Sequence, residues 1–598
     1  MKENVIPKRD EIPESDKWDL STLYLNYTEW EQDLQKIPVL ADEIVAFKGS
    51  LNNPETLLSA LKKYESLIEL SEKTGNFAFL MQVTDAENSE YQRQQTRYIM
   101  VATEAEAKIS FFQPEIQTIP TEIVNQWINT AEFKNYSIYL KKLLHLKPYI
   151  LSEKEERLLT LQSEANETAK KTFSLLTNVD LEFGSIQTEK GSLPLSQSTF
   201  SSFMENPNRE IREKAYKQFY KQFDTHKNTI ASLYIGSVNL DVYKAKARGY
   251  SSSLQAALYK DNVSLSVYDN LIATVRKNLA PLHKYYSLRK KILKLNELRH
   301  YDVYTPLVQN VSKVISYDEA VSIIHEALSP LGEEYTQTLT QGLKNGWVDK
   351  YENKGKRSGA FSAGGYNGYP YILMNYKADS LRDVFTLAHE GGHSMHSWYS
   401  AKNNPIMHYD YTIFEAEVAS TFNEELVFQY LLKTSTDKET KAYLLSNRAA
   451  DILATLYRQT MFAEFEKITH EMVENGEPLT TDILRSVYKN LLVEYFGPEM
   501  VFENESDLEA LRIPHFYNAF YVYKYATGIS AALALAQKVL NGGEDEKNAY
   551  FSFLKSGGSR YPIDSLKLAG VDMEKTEPIE KAIQQFEKII HELEQILE

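Results

Sequence analysis

Cysteine is absent from all 598 residues. That excludes disulfide frameworks, thiolate zinc clusters, iron–sulfur centres and cysteine nucleophiles. Any catalytic metal is left with imidazole and carboxylate ligands. Long apolar runs are missing as well. The best of them, Ile529–Ala536, falls well short of the ~18 residues a membrane span needs and reads as a buried helix. The first twenty residues hold no apolar core of a secretory signal, so the expected compartment is the cytoplasm and no membrane partner is expected. Positive charge is in deficit: 66 Lys and Arg stand against 82 Asp and Glu, a net −16. Phosphate binding needs clustered positive charge, so nucleic acid is not an expected partner. The same charge opposes nonspecific association but leaves the oligomeric state open. No fixed-period repeat and no low-complexity tract occurs.

What is present is ordinary globular composition, 43% hydrophobic and 25% charged, with enough chain for a large core. Helical periodicity dominates. Asn53 can cap a helix that opens with Pro54 and carries Leu57, Leu61, Tyr64 and Ile68 as a stripe. Ser316 and Glu319 form a capping box. Near the C-terminus Ile579, Ile583, Phe586, Ile590, Leu593 and Leu597 share one face. The expected class is therefore mainly α. Two stretches break the pattern. Leu181–Leu195 reads as a short hairpin or irregular connection and a domain boundary. This suggests helical regions over 1–110 and 111–195 and a third domain over 196–598. Asn353–Tyr376 gathers five glycines before the strand-like YPYILMNY, a place where another backbone can approach closely. It has neither the GK[ST] nor the GxGxxG of a phosphate loop. Tyrosine is abundant, at 40 residues, and most of them are expected in the core.

Residues 386–397 read TLAHEGGHSMHS, in which His389, Glu390 and His393 make H-E-x-x-H. On a helix the two histidines lie on one face, about 6 Å apart along the axis, and can converge on one tetrahedral zinc. Glu390 sits roughly 100° around the helix, where it can reach a metal-activated water without being a ligand. Composition alone expects roughly 0.03 such matches. The other His-Glu pairs, at 325–326, 470–471 and 591–592, are followed by Ser329, Glu474 and Gln595, and none completes the motif. Gly391 and Gly392 cost a helix on the order of 1–2 kcal/mol relative to Ala, which makes sense where another element must come close. A catalytic zinc takes a third protein ligand. In TIFEAEVASTFNEEL, Glu415 and Glu417 are about 200° apart on a helix, so both cannot face the metal, and spacing alone does not choose between them. Glu424 shares the face of Glu417 and suits a supporting role.

HEGGHSMH followed by EAEVASTFNEE resembles the thimet oligopeptidase family of zinc peptidases. The resemblance spans residues 195–598 strongly and the N-terminal part mainly in helical character. It implies that the Glu of Glu417-Val-Ala-Ser420 is the third ligand and that His396 lies beside the site as a supporting or structural residue. It implies that His515 and the paired tyrosines of RIPHFYNAFYVYKYATG, best matched by Tyr521 and Tyr523, donate hydrogen bonds to the developing oxyanion. Tyr517 and Tyr525 are further candidates for contact with substrate; alternatively Tyr517, Tyr521 and Tyr525 are an i, i+4, i+8 core stripe. The glycine-rich loop, with Gly364, Gly365, Tyr366 and Tyr369, resembles the family's substrate-contacting strand. The implied architecture is a two-lobed helical shell around a deep channel, with a small sheet next to the H-E-x-x-H helix.

The expected function is therefore a metalloendopeptidase holding one Zn²⁺ and cutting internal bonds of short unfolded oligopeptides, with Glu390 as general base. An extended peptide is expected to pair with the strand after the glycine-rich loop. Two alternatives stand beside this reading. One is an exo-acting zinc peptidase that releases dipeptides or single residues. The other is a non-catalytic helical peptide-binding scaffold with a structural metal, against which the intact Glu390 argues.

Overall fold

Polar caps decide where the helices begin, and apolar stripes decide what they bury. In the computed structural model, residues 6–189, 191–308 and 314–598 are described. Asn53 Oδ1 accepts the N–H groups of Glu55 and Thr56 at 3.0 and 3.1 Å, satisfying donors that a helix start otherwise leaves bare. Ser316 and Glu319 close their capping box at the start of Tyr317–Ala327. The helix Glu577–Leu597 buries Ile579, Ile583, Phe586, Ile590 and Leu593 as the pattern predicts. Chain segments far apart in sequence then assemble into two compact units.

The first unit takes Met1–Pro148, Ser312–Lys433 and Ala532–Val571. Its N-terminal helices are α1 (Tyr27–Val45), α2 (Pro54–Thr84) and α3 (Ser89–Ile109). Trp30, Leu34, Ile37 and Ile44 of α1 pack with Leu57, Leu61, Phe77 and Leu80 of α2. Each such side chain contributes on the order of 1.5–3 kcal/mol on burial. The Trp30 indole N–H also donates to the Thr74 carbonyl at 2.9 Å, so its one polar atom is satisfied. A small sheet follows: β1 (Val348–Asp349), β2 (Phe361–Gly364) and β3 (Pro370–Leu373), in the order β1-β3-β2. β3 is buried throughout, runs parallel to β1, and pairs antiparallel with β2. Two long helices complete the unit's functional part, α4 (Leu381–Asn403) and α5 (Ile413–Thr434).

The second unit takes Tyr149–Val311, Thr434–Ala531 and Asp572–Glu598. Its longest helix, Arg209–Arg248, ends at Gly249 in the left-handed conformation, φ 82°, as C-terminal caps favour. Phe219 and Phe223 of that helix pack with Phe183 and Phe200. Just before Phe200 lies the expected hairpin, Ser185–Thr188 paired with Gly191–Pro194. A buried ion pair joins Arg458 to Glu509 at 2.6 Å. Many tyrosines are core residues, among them Tyr220, Tyr268, Tyr285, Tyr488 and Tyr495. Ile529–Ala536 is buried in the helix Tyr523–Asn541, whose residues from Ala532 onward belong to the first unit. Among the described residues no helix is long and apolar enough to cross a membrane.

Candidate metal centre

The H-E-x-x-H segment lies inside α4, with no break at its paired glycines. The Nε2 atoms of His389 and His393 converge to 3.2 Å. Glu417 on α5 brings Oε2 to 3.4 Å from His389 Nε2 and 3.7 Å from His393 Nε2. An ion bonded tetrahedrally at about 2.0–2.1 Å holds its ligand atoms about 3.3 Å apart, so the donor set fits zinc. It is the one group of three or more such side chains among the described residues whose ligand atoms lie within 4.8 Å of one another. Of the two carboxylates that spacing left open, Glu417 is the one brought to the histidines. Glu415 turns away, is 1% exposed, and accepts from Thr412 N–H and Oγ1 at 3.3 and 3.2 Å.

Gly392 explains how two helices reach this geometry. A Cβ there would lie 2.5 Å from the Ala419 carbonyl oxygen and 2.6 Å from Ser420 Cα. The backbones of α4 and α5 therefore touch within a turn of Glu417, which only glycine permits. Glu424, two turns further along α5, accepts from His389 Nδ1 at 2.8 Å. This orients the ring so that Nε2 faces the ligand cluster.

Charge and burial divide the roles. Burial pushes the Glu390 carboxyl up to about 7, with the His389 charge opposing. The Ser362 N–H of β2 also bonds to Glu390. Burial works against the charge on Glu417 too, but the hydrogen bond from His389 and the charges of both histidines outweigh it and hold the carboxyl at about 2. His389 is raised despite burial, because Glu417 and Glu424 both bond to it. His393 is lowered to about 4 by burial and by the neighbouring His389. Glu417 is thus held in its charged form beside the two imidazoles, while burial holds Glu390 above the usual carboxylate range.

Other expected residues fall in distinct places. His396 is fully buried, its ring stacked on Tyr411 at 3.7 Å and packed near Phe553. Burial lowers it to about 3, with the neighbouring His393 acting in the same direction. Gly364 ends β2 against α4, where a Cβ would meet Ser397 at 2.3 Å. Gly365 and Tyr366 follow directly, and Tyr369 packs near Trp347 and Tyr371. One expectation needs correction. β3 is flanked by β1 and β2, and its residues Ile372 and Leu373 pair on both sides. The strand after the glycine-rich loop therefore has no edge for a peptide. The edge strand is β2, formed within what reads as loop, and Ser362 ties it to α4 through Ser394 Oγ at 2.9 Å.

The 515–525 segment belongs to the second unit. His515 and Tyr521 stack with ring centres 6.3 Å apart, and Tyr525 lies 6.2 and 5.5 Å from those two rings. His515 is exposed and the two tyrosines are half-buried. Tyr523 is instead fully buried, its ring 5.1 Å from Tyr268. Tyr517 stacks on Phe173 at 4.5 Å. The regular i, i+4, i+8 stripe does not form, because a short 3₁₀ turn ends at Tyr517 and the helix begins only at Tyr523.

The profile of peptidase family M3 matches residues 202–585, and that of oligopeptidase F matches residues 115–183. The chain is 43% identical to the oligoendopeptidase F homolog of Borreliella burgdorferi, over 99% of this chain and 100% of the relative. It is 41% identical to oligopeptidase PepF of Bacillus subtilis, over 100% of this chain and 89% of the relative. Among solved structures, oligoendopeptidase-F from Enterococcus faecium superposes with TM-score 0.74 at 32% identity, covering 95% of this chain and 99% of that one. A crystal structure from Chlamydophila abortus superposes with TM-score 0.93 at 40% identity, covering 99% and 100%.

Proposed function

Since the chain belongs to peptidase family M3, we propose that its α4–α5 centre hydrolyses peptide bonds with the following division of labour. The protein is a metalloendopeptidase that acts on oligopeptides. His389, His393 and Glu417 would hold one Zn²⁺, which supplies Lewis acidity toward the scissile carbonyl and makes water more acidic. Glu390 accepts the proton of the attacking water on its carboxylate and delivers it to the departing amine. A carboxyl held near 7 suits both halves of that exchange. Glu424 keeps His389 turned toward the cluster. His515, Tyr521 and Tyr525 would donate to the carbonyl oxygen as it gains charge. For His515 and Tyr521 that role is carried from the family resemblance; Tyr525 is put in place of the buried Tyr523 because its ring clusters with theirs. An extended substrate would add to the outer edge of β2. The cytoplasm is the compartment proposed.

The observation that carries this reading is the convergence of three ligand atoms beside the buried carboxyl of Glu390. A ladder of peptides, digested with metal content assayed alongside, tests it. One zinc per chain and internal cuts are expected; cuts confined to the termini would replace endo- by exo-cleavage. Near-normal hydrolysis by Glu390→Gln would sink the mechanism. A chelator should abolish cleavage and leave the helical circular dichroism intact, which a structural-metal scaffold would not show.

A further inference from the structure

The loop that closes β2 is held from outside the site by a helix more than 280 residues earlier in the chain. Glu72 of α2 points one carboxylate oxygen, Oε1, at the loop. That oxygen accepts the Tyr366 N–H at 2.9 Å and the Tyr409 phenol. The other oxygen is buried with no hydrogen-bond partner. One turn earlier, Glu69 accepts from Asn367 Nδ2 at 3.5 Å. Further along the same helix, Phe79 packs on Phe361 at the start of β2, ring centres 5.7 Å apart.

Gly365 makes this approach possible. A Cβ there would fall 2.9 Å from Asn76 Nδ2 and 3.2 Å from Glu72 Oε1. Tyr409 is itself fixed. Its ring centre lies 5.2 Å from that of Tyr366, and its carbonyl accepts from Ser400 Oγ on α4. Glu72 thus ties three things together: the end of β2, the segment between α4 and α5, and helix α4. A carboxylate that leaves the water must regain its hydrogen bonds, and these two donors repay it only while the loop stays in place.

We propose that Glu72 is a positioning residue for substrate, fixing the level of the β2 edge relative to the metal ligands and thereby the bond that is cut. The proposal rests on the reading that an extended peptide adds to β2. Strand pairing is quantised by the residue repeat. An edge held at one level presents one peptide bond to Glu390, and an edge that slides presents its neighbours as well.

The test uses the full-length metal-loaded enzyme, one nonapeptide, and the same peptide N-methylated at each backbone nitrogen in turn. For the wild type, a single cut and a strong loss of rate on methylation at specific nitrogens are expected. Glu72→Leu should lower kcat/KM for the nonapeptide about tenfold, as loss of two buried hydrogen bonds implies. It should also spread cleavage to an adjacent bond while zinc content is unchanged. Glu72→Gln, which keeps an acceptor, should stay within about threefold of wild type and cut the original bond. If no methylation slows the wild type, peptide addition to β2 is wrong. If methylation matters but Glu72→Leu cuts the same single bond at the same rate, the positioning role is wrong and the β2 reading stands. Should Glu72→Leu not fold, Tyr409→Phe removes one of the two bonds and must give the same spread in cleavage; a single unchanged cut overturns the proposal.

Discussion

Gly392 of α4 and Ala419 of α5 are in backbone contact: a methyl group on the glycine would lie 2.5 Å from the Ala419 carbonyl oxygen. Gly392→Ala gains helix propensity of about 1 kcal/mol yet must push α5, and Glu417 with it, away from the two histidines. The expected outcome is a folded protein with at least a hundredfold weaker zinc retention and a matching loss of kcat/KM. Dialysis against graded chelator, followed by metal analysis, checks it.

Glu424 accepts from the far side of the His389 ring. Glu424→Ala frees that ring to rotate, and metal affinity should fall about 10–100-fold. Saturating zinc should then restore much of the activity, which it would not do for a variant of Glu390.

Tyr521 and Tyr523 are two residues apart and differ in kind, one half-buried beside His515 and the other fully buried beside Tyr268. Loss of one oxyanion donor lowers kcat by roughly 10²–10³. Tyr521→Phe should show that loss with KM little changed. Tyr523→Phe should leave kcat within about threefold, since packing is kept. Steady-state kinetics on one fluorogenic peptide decides it, and the reverse ranking would reassign the donor.

His300 gives a pH dependence to stability. Burial lowers it from 6.5 to about 4, and the charges of Arg458 and Arg512 act in the same direction against Glu509. Its Nδ1 faces the Tyr216 phenol at 2.9 Å. Between pH 6.5 and 4 the unfolded chain binds the proton and the folded chain does not, so stability rises with pH there. The contribution is fully present above about 6.5 and is lost as pH falls toward 4, a difference of about 3 kcal/mol. Urea unfolding at a series of pH values should show wild type losing about 1.4 kcal/mol per unit across that window relative to His300→Gln. Parallel curves would refute it.

The caps at Asn53 and Ser316 and the stripe of the final helix could be read because each depends on neighbours within a few turns. The same holds for His389, Glu390 and His393. Spacing along α5 could not tell Glu415 from Glu417, because a helix offers both faces until a partner occupies one. β2 went unread because Ser362, Ala363 and Gly364 carry little strand preference; its pairing with β3 supplies what local sequence lacks. Glu72 left no signal, for nothing near it in the chain announces a loop some 290 residues away. The interleaving of three stretches into each unit is likewise a property of long-range packing.

The outer edge of β2 has a second consequence. Unpaired strand edges invite other chains of the same protein to add to them, the route to aggregation. β2 is four residues long, and its last residue, Gly364, is followed directly by Gly365. Its loop is held by the carboxylate of another helix. An edge so short offers too few pairings to keep a neighbour's strand, while a peptide that is soon cut in two need be kept only briefly. The brevity that makes β2 hard to read in sequence also keeps the enzyme from becoming its own substrate trap.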